Sequence, residues 1–370
     1  MPNSSPITNK RLRLLAPLFC VLLIAIIAFF ILRRERSVTQ SADVAGEAIA
    51  SPQLMDFTVF NTLCRLSVWS LPPAKSEALF AELNQQLRLL HDCINVYDPK
   101  SELSAINRNA ASAPVTCSPM LWDILMSARE AWRISDGAFD VTIGPLMQLW
   151  GFYGKQQIAP SQDEMQAVRQ KVGLDKVRFD EQQHSVAFSV PGMRLDFGGI
   201  AKGYALDMAG KILAQHGADI FLLDLGGNIA CSATPPPGRE AFTIGIRNPH
   251  AANTLLGTMS LRGRFIATSG NYERFRFVDG KRVGHIMDPR SGMPCTYLDG
   301  VSVVTTSGLL SDVFSTAAFI GRQDLARSLS ERFPGSGFIF VSKDQQGKPV
   351  LEYIGDLPML ERQNGPGVVD

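Results

Sequence analysis

Leu195-Asp196-Phe197-Gly198-Gly199-Ile200-Ala201-Lys202-Gly203-Tyr204 reads as a short apolar strand ending at Asp196, then two glycines, then the start of a helix. Glycines let backbone amides approach phosphate oxygens, and a helix N-terminus favours anions. The segment is therefore either a cradle for a diphosphate or metal-diphosphate group, or a plain strand-to-helix turn. The helix is predicted from Ala201 to His216, closed by Gly217. A second pair of glycines, in Leu223-Asp224-Leu225-Gly226-Gly227-Asn228, also follows an apolar strand and carries the same two readings. Neither cluster fits G-x-G-x-x-G or G-x-x-x-x-G-K-[ST], so neither a Rossmann fold nor a P-loop is indicated.

Around this stretch helices and strands alternate irregularly. No second linker, repeat or low-complexity run interrupts the chain from Asp56 to about Tyr353. Thr58 to Trp69 is a strand pair or one long strand, rich in β-branched and aromatic residues. Ser76 is positioned to cap a helix in which Leu79, Leu83, Leu87, Leu90 and Ile94 repeat at helical spacing. Ser118-Pro119 pairs a cap with proline at the first helical position. Strands are predicted at Ile220–Leu225, Phe242–Arg247, Phe265–Thr268, Phe275–Val278, Val301–Thr306 and Gly337–Val341, with a hairpin turn at Asp279-Gly280. Leu310–Ile320 reads as a helix. The mixture predicts an α+β body.

Four further segments carry side chains suited to chemistry. In Leu310-Ser-Asp-Val-Phe-Ser-Thr-Ala-Ala318, helical spacing puts Asp312 and Thr316 on one face. A carboxylate and a hydroxyl are hard oxygen ligands suited to Mg²⁺, or Ser311 or Asp312 simply caps the helix. In Gly284-His-Ile-Met-Asp-Pro-Arg-Ser-Gly292, a strong turn follows His285, which is either a base or a structural histidine. In Asn95-Val-Tyr-Asp-Pro-Lys-Ser-Glu-Leu-Ser-Ala-Ile-Asn107, Ser101 caps a short helix, and Tyr97 either stacks on a flat ring or packs in the core. Ser135-Asp-Gly-Ala-Phe-Asp-Val-Thr-Ile-Gly-Pro145 links a helix to a Gly-Pro stop, and Phe139 and Asp140 either meet a ligand or line a connection.

The whole chain of 370 residues has a net charge of +1. Residues 1–36 hold six of the basic residues and one acid, which leaves 30 basic against 34 acidic residues in the remainder, a net of −4. A slightly acidic body lacks the basic face of a nucleic-acid platform. Leu14 to Leu32 is 19 residues without a charge, the length of one transmembrane helix. Arg-Arg-Glu-Arg follows it rather than small residues, which favours an uncleaved anchor over a signal peptide. Basic residues flank both ends, so charge does not orient it. Residues 37–54 read as a flexible tether, 55–360 as the catalytic body and 361–370 as a loose tail. The six cysteines are scattered without a C-x-x-C pair, which argues against a zinc or redox motif and leaves one disulfide possible.

Taken in order, YDPKSELSAIN, SDGAFDVTIGPL, LDFGGIAKGYALD, LDLGGNI, ATSGNYERF, HIMDPRSGMP and SDVFSTAAFI resemble the ApbE-type FAD:protein FMN transferases, from about Phe57 to Gly321. The resemblance implies an α+β body with a T-fold-like core, FAD in a cleft and Mg²⁺ on the FAD diphosphate. It implies that a Ser or Thr hydroxyl of an acceptor protein attacks the FMN phosphorus and AMP leaves. Carried over residue by residue, the metal ligands fall on Asp312, Thr316 and the carbonyl of Gly199, while Tyr97, Ala138, Phe139, Asp140, Asp196 and Lys202 line the FAD site. His285 is the candidate base, and Ser315 stands ready to back the metal shell.

Where family members carry a Met-Gly-Thr-like turn, this chain has Phe60-Asn61-Thr62. The ring of Phe60 would still pack on the flavin, while Asn61 opens the alternative of an Mg²⁺-dependent FAD pyrophosphatase giving FMN and AMP. A non-catalytic flavin-binding module is the third reading. The resemblance further implies an acceptor carrying Asp-Gly-x-Ser/Thr-Gly-Ala-Ser/Thr, a motif absent from this chain. It implies a membrane redox subunit as that acceptor, and a single-pass protein of the inner membrane whose body faces the periplasm or outside.

Overall fold

The computed structural model describes residues 51–154, 158–251 and 253–362. The predicted anchor Leu14–Leu32, most of the tether and the end of the tail lie outside the described residues. Among those described, no helix is long and apolar enough to cross a membrane.

Eight strands form the main sheet, in spatial order β1 (Gln53–Val59), β2 (Thr62–Val68), β6 (Phe221–Leu225), β7 (Asn228–Cys231), β10 (Phe265–Gly270), β13 (Gly300–Thr305), β14 (Gly337–Lys343) and β15 (Pro349–Gly355). All neighbours are antiparallel. Three small sheets accompany it: β3 (Val115–Thr116) with β5 (Ser185–Phe188) and β4 (Val177–Asp180); β8 (Phe242–Arg247) with β9 (Leu255–Leu261) and β16 (Leu360–Arg362); and the hairpin β11 (Phe275–Val278) with β12 (Lys281–Gly284). The helices are α1 (Pro73–Ile94), α2 (Glu102–Asn109), α3 (Pro119–Ile134), α4 (Gly144–Leu149), α5 (Gln162–Arg169), α6 (Ala201–Gln215) and α7 (Gly308–Arg332).

The period-two alternation of the central strands feeds two cores. Val301, Val303, Phe338 and Phe340 join α1, α6 and α7 on one face. Val304 and Ile339 point the other way, into a layer closed by Phe242, Ile244, Ile246, Met259 and Leu261 of β8 and β9. The leucine repeat of α1 is fully buried at Leu79, Leu83, Leu87 and Leu90, each worth about 1.5–3 kcal/mol. A third cluster under the β11–β12 hairpin gathers Met147, Trp150, Phe152, Val278, Val283 and Met287.

Several expectations are refined. The Thr58–Trp69 region is a hairpin, turned at Phe60 and Asn61, both at positive φ (51° and 57°), as a two-residue primed turn requires. Ser76 does not cap α1, which begins at Pro73, so Ser76 is buried inside the helix. Ser101 and Ser118 cap α2 and α3 as predicted. Gly144-Pro145 opens α4 rather than stopping a helix, because proline is well placed in a first turn. Leu195-Asp196 joins no sheet. All five cysteines of the described body are free thiols.

Candidate active site

The stretch before α6 is extended because a side chain acts as its strand partner. Asn107 at the end of α2 donates from Nδ2 to the Leu195 carbonyl (3.0 Å) and accepts the Leu195 N–H at Oδ1 (2.7 Å). The Asp196 N–H donates to the Val141 carbonyl (2.8 Å). Asp196 then folds its carboxylate over the glycine turn: Oδ1 accepts the Gly198 N–H (2.7 Å) and Oδ2 the hydroxyl of Tyr153. The chain enters α6 with no side chain of its own capping the helix.

The cap comes from α7. Oδ2 of buried Asp312 accepts the Gly203 N–H in the first turn of α6 (2.8 Å). The favour is returned by Asp207 of α6, whose carboxylate accepts the N–H groups of Gly308 (2.6 Å) and Leu309 (3.0 Å) and the Ser307 hydroxyl (2.9 Å) at the start of α7. Ser307 Oγ in turn accepts the Leu310 N–H (3.3 Å). Asp312 thus caps a helix, though a different one from the helix that carries it. Its Oδ1 takes no hydrogen bond among the described residues and is not sealed from solvent.

Thr316 lies one turn further along α7, against Gly199. A Cβ on Gly199 would sit 3.3 Å from Thr316 Oγ1 and 3.1 Å from the Phe139 ring. Gly199, Phe139, Asp312 and Thr316 are therefore brought together. Ser315 is sealed in the core and donates to the Asp312 carbonyl (2.8 Å), so it supports the helix rather than facing a ligand. Ser269 of β10 shares hydrogen bonds with Ser315 (2.8 Å) and Thr316 (3.1 Å) and fixes the threonine's orientation. A carboxylate oxygen without a hydrogen bond, a hydroxyl and the Gly199 carbonyl would make an all-oxygen donor set of the kind Mg²⁺ prefers. Among the described residues no group of three or more His, Cys, Asp or Glu offers a metal site.

A second wall is aromatic and cationic. The rings of Tyr97 and Tyr153 meet edge to face at 5.7 Å, with Arg194 over Tyr153 at 4.4 Å. Arg274 lies over Tyr97 (5.7 Å) and Phe152 (5.4 Å), and donates to the Tyr97 hydroxyl and to the Phe152 carbonyl (2.9 Å). Tyr97 is half-exposed. His285, directly after β12, bonds through Nδ1 to the Arg274 carbonyl (3.0 Å). A carbonyl only accepts, so Nδ1 carries the proton and Nε2 keeps a lone pair. Burial, then the charge of Arg274, pull the imidazole down to about 4, so the ring is neutral at physiological pH.

The other predicted residues are placed as follows. Ala138 is buried, its N–H on the Ser135 carbonyl (3.1 Å). Asp140 spends its carboxylate inward, on the Thr142 N–H (2.7 Å), the Thr142 hydroxyl (2.6 Å) and the Leu174 N–H (3.1 Å), so it shapes the loop that presents Phe139. Burial raises its pKa against those bonds. Lys202 lies half-buried in the first turn of α6 and forms no ion pair among the described residues. Phe60 is half-buried, edge-on to His91 at 5.6 Å. A separate cleft of about 710 Å³, lined by Trp132, Asp140, Arg169, Lys176 and Arg290, contains none of Gly199, Asp312, Thr316 or His285.

Comparison with known proteins now bears on this arrangement. The model of the ApbE family matches residues 60–340. The chain belongs to the ApbE family. Among its relatives is a protein of Klebsiella pneumoniae named FAD:protein FMN transferase, 35% identical over 274 residues, covering 73% of this chain and 84% of that protein. One of the same name from Treponema pallidum is 32% identical over 307 residues, with 78% and 84% covered. Solved ApbE structures superpose well. The ApbE protein of Thermotoga maritima has a TM-score of 0.73 at 26% identity, over 85% of this chain and 97% of that one. The flavinyl transferase ApbE of Pseudomonas stutzeri has a TM-score of 0.71 at 26% identity, over 82% and 94%. The mixed α/β ApbE fold is thereby established. The family-matched region spans β2 through most of β14 and takes in every element that supplies the site.

Asn107, Asp207, Ser269 and Arg274 lie inside the segments that carry the resemblance, but nothing in their spacing shows which polar residue faces which backbone group. Tyr153 lay between those segments and had no signal.

Proposed function

We propose that this protein is an FAD:protein FMN transferase that uses Mg²⁺, moving FMN from FAD to a Ser or Thr hydroxyl of an acceptor protein and releasing AMP. The observation that carries the reading is the meeting of Gly199, Asp312 and Thr316 at the mouth of α6, with the Tyr97–Tyr153 wall joined to the same turn through Asp196. Asp312 Oδ1, Thr316 Oγ1 and the Gly199 carbonyl would hold the metal. Bound there, Mg²⁺ would neutralise charge on the diphosphate and on departing AMP.

The remaining work falls to the chain. Tyr97, Tyr153 and the two arginines offer a face for a flat ring and positive charge for phosphate oxygens. Phe139, Ala138 and the Phe60 turn close the site around it, and Lys202 adds a cation. The acceptor Oγ forms a bond to the FMN phosphorus as the phosphorus–oxygen bond to AMP breaks, with the electron pair leaving on AMP. The hydroxyl proton goes to Nε2 of His285. An imidazole at about 4 is a weak base in the free protein. The negative diphosphate arriving beside it raises its proton affinity towards the working range.

Leu14–Leu32 would anchor the protein in the inner membrane, with the body on the periplasmic or outer side, near a membrane redox subunit that carries the acceptor motif. The test uses the full chain with FAD, Mg²⁺ and a domain bearing Asp-Gly-x-Ser/Thr-Gly-Ala-Ser/Thr. A mass gain of one FMN on the acceptor with AMP release supports the reading. FMN and AMP without mass gain would make the protein a pyrophosphatase and turn attention to exposed Asn61. Tight FAD binding with no products would make it a binding module.

A further inference from the structure

The reaction leaves one surface of the site's own framework unused: the outer face of the β11–β12 hairpin. On its inner face Val278 and Val283 enter the cluster with Trp150 and Met287, and Arg276 donates to the carbonyls of Gly151 and Gly154. The register pairs Phe275 with Gly284 and Phe277 with Arg282, so Phe275, Phe277 and Arg282 share the opposite face. Phe277 is 60% exposed and Phe275 42%. Their rings meet edge to face at 5.9 Å, and the Arg282 guanidinium lies 3.9 Å over Phe275. Arg282 also donates to the Asn271 carbonyl (3.2 Å), which braces it. Single exposed apolar residues are ordinary, but an exposed aromatic pair braced by a fixed arginine has the composition of an interface hot spot.

Position and charge say what would cover it. The hairpin springs from the reacting centre: the His285 N–H and ring Nδ1 both bond to the carbonyl of Arg274, the residue before Phe275. Any protein that brings a hydroxyl to His285 passes beside this hairpin. Among the strand residues of the hairpin the one charged side chain on the outer face is the cation Arg282, while Arg276 and Lys281 share the inner face and Asp279 at the turn accepts the Ala159 N–H (3.2 Å). The face is also small. Two aromatic side chains bury roughly 150–250 Å² each, well short of the total of about 1,200 Å² or more in a stable interface. It suits one half of an interface whose other half is the active-site mouth, and falls short of a stable dimer contact. We propose that the outer face of this hairpin docks the acceptor protein through an acidic and apolar segment outside the hydroxyl-bearing motif. This rests on the transferase reading above.

The test compares the full-length protein with Phe275→Ser/Phe277→Ser and Arg282→Glu variants, on two acceptors: a folded domain carrying Asp-Gly-x-Ser/Thr-Gly-Ala-Ser/Thr, and a short peptide of the motif alone. The expected result is a rise of about tenfold or more in KM for the domain, with FAD binding, melting temperature and transfer to the peptide unchanged. An unchanged KM for the domain overturns the proposal. So does a wild-type protein that light scattering shows to be dimeric and the variants to be monomeric, with KM unaltered, since the face then serves a second copy. If wild type splits FAD but flavinylates neither acceptor, the transferase reading itself fails and the proposal falls with it, an outcome distinct from the other two.

Discussion

Replacing Gly203 by alanine sets two effects of the same methyl group against each other. Within a helix, alanine is favoured over glycine by about 0.5–1 kcal/mol because it restricts the unfolded chain. At this position, however, the new Cβ would lie 2.5 Å from the Cβ of Asp312 and 2.5 Å from the carbonyl oxygen of Gly308. Ordinary contact is about 3.5–4.0 Å, so α7 must retreat from α6 by about 1 Å at its first turns. One of the obstructing atoms is backbone and neither is the tip of a flexible side chain, so the strain costs about 1–3 kcal/mol and outweighs the propensity gain. The retreat also stretches the 2.8 Å bond from Gly203 to Asp312 and moves Asp312 and Thr316 off Gly199. A misplacement of about 1 Å costs on the order of 100-fold in rate. Gly210, on the same helix with nothing within 4 Å of a Cβ, is the matched control. The assay is the rate of FMN transfer across a Mg²⁺ titration, with melting temperature alongside. Gly203→Ala should lose stability, lose rate and demand more Mg²⁺; Gly210→Ala should gain up to about 1 kcal/mol and keep its rate. Equal behaviour of the two variants would refute the reasoning.

Asp312→Ala should lower transfer on the order of 100-fold or more while FAD still binds, and should lower stability by about 1–3 kcal/mol as the Gly203 N–H loses its partner; equal losses in rate and FAD affinity would make the residue one of binding alone. Asp207→Ala removes the carboxylate that caps α7 alongside Ser307 and should cost about 1–2 kcal/mol, with a raised Mg²⁺ requirement read from activity against metal concentration; a lowered melting temperature with unaltered metal dependence would limit Asp207 to stability. His285 supplies a pH test. Its pKa is about 4 in the folded protein and about 6.5 in an unfolded chain, so the unfolded chain binds the extra proton between those values. The stability due to the neutral ring is complete above about pH 6.5 and drains away as pH falls towards about 4. Denaturant midpoints should drop between about pH 7 and pH 5, and His285→Gln should shrink that drop; an undiminished drop would assign it to other groups.

The elements legible in the sequence were those whose signal is local. The leucine spacing of α1, the Ser118-Pro119 start of α3, the helix that begins at Ala201 and is closed by Gly217, and the Asp279-Gly280 turn all appear as read, with the helix one residue shorter than the expected Ala201–His216. The helix of Asp312 was expected to stop at Ile320, and helical geometry does break just beyond, at Arg322 (φ 58°), after which α7 resumes to Arg332. What the sequence concealed was nonlocal pairing. Leu195-Asp196 has the apolar look of a strand, but its partner is the side chain of Asn107, 88 residues away, so no strand periodicity could report it. Asp140 in a loop looks the same whether it faces a ligand or, as here, caps the turn behind it.

The reciprocal caps would let the proposed Mg²⁺ site work with few ligands. Asp207 pins the start of α7 to α6, and Asp312 pins the start of α6 to α7, five positions after Ser307 caps its own helix. A break in either cap would weaken the other, because both depend on the close approach at Gly203 and Gly308. The arrangement commits one oxygen of Asp312 to holding the helices and leaves the other directed by that bond. A carboxylate fixed in this way would lose little freedom on meeting a cation, so one such residue with Thr316 and a backbone carbonyl would suffice where mobile side chains would have to be more numerous. On the proposed reading the same rigidity leaves selectivity for the acceptor to the part of the site that faces outward, His285 and the β11–β12 hairpin that precedes it.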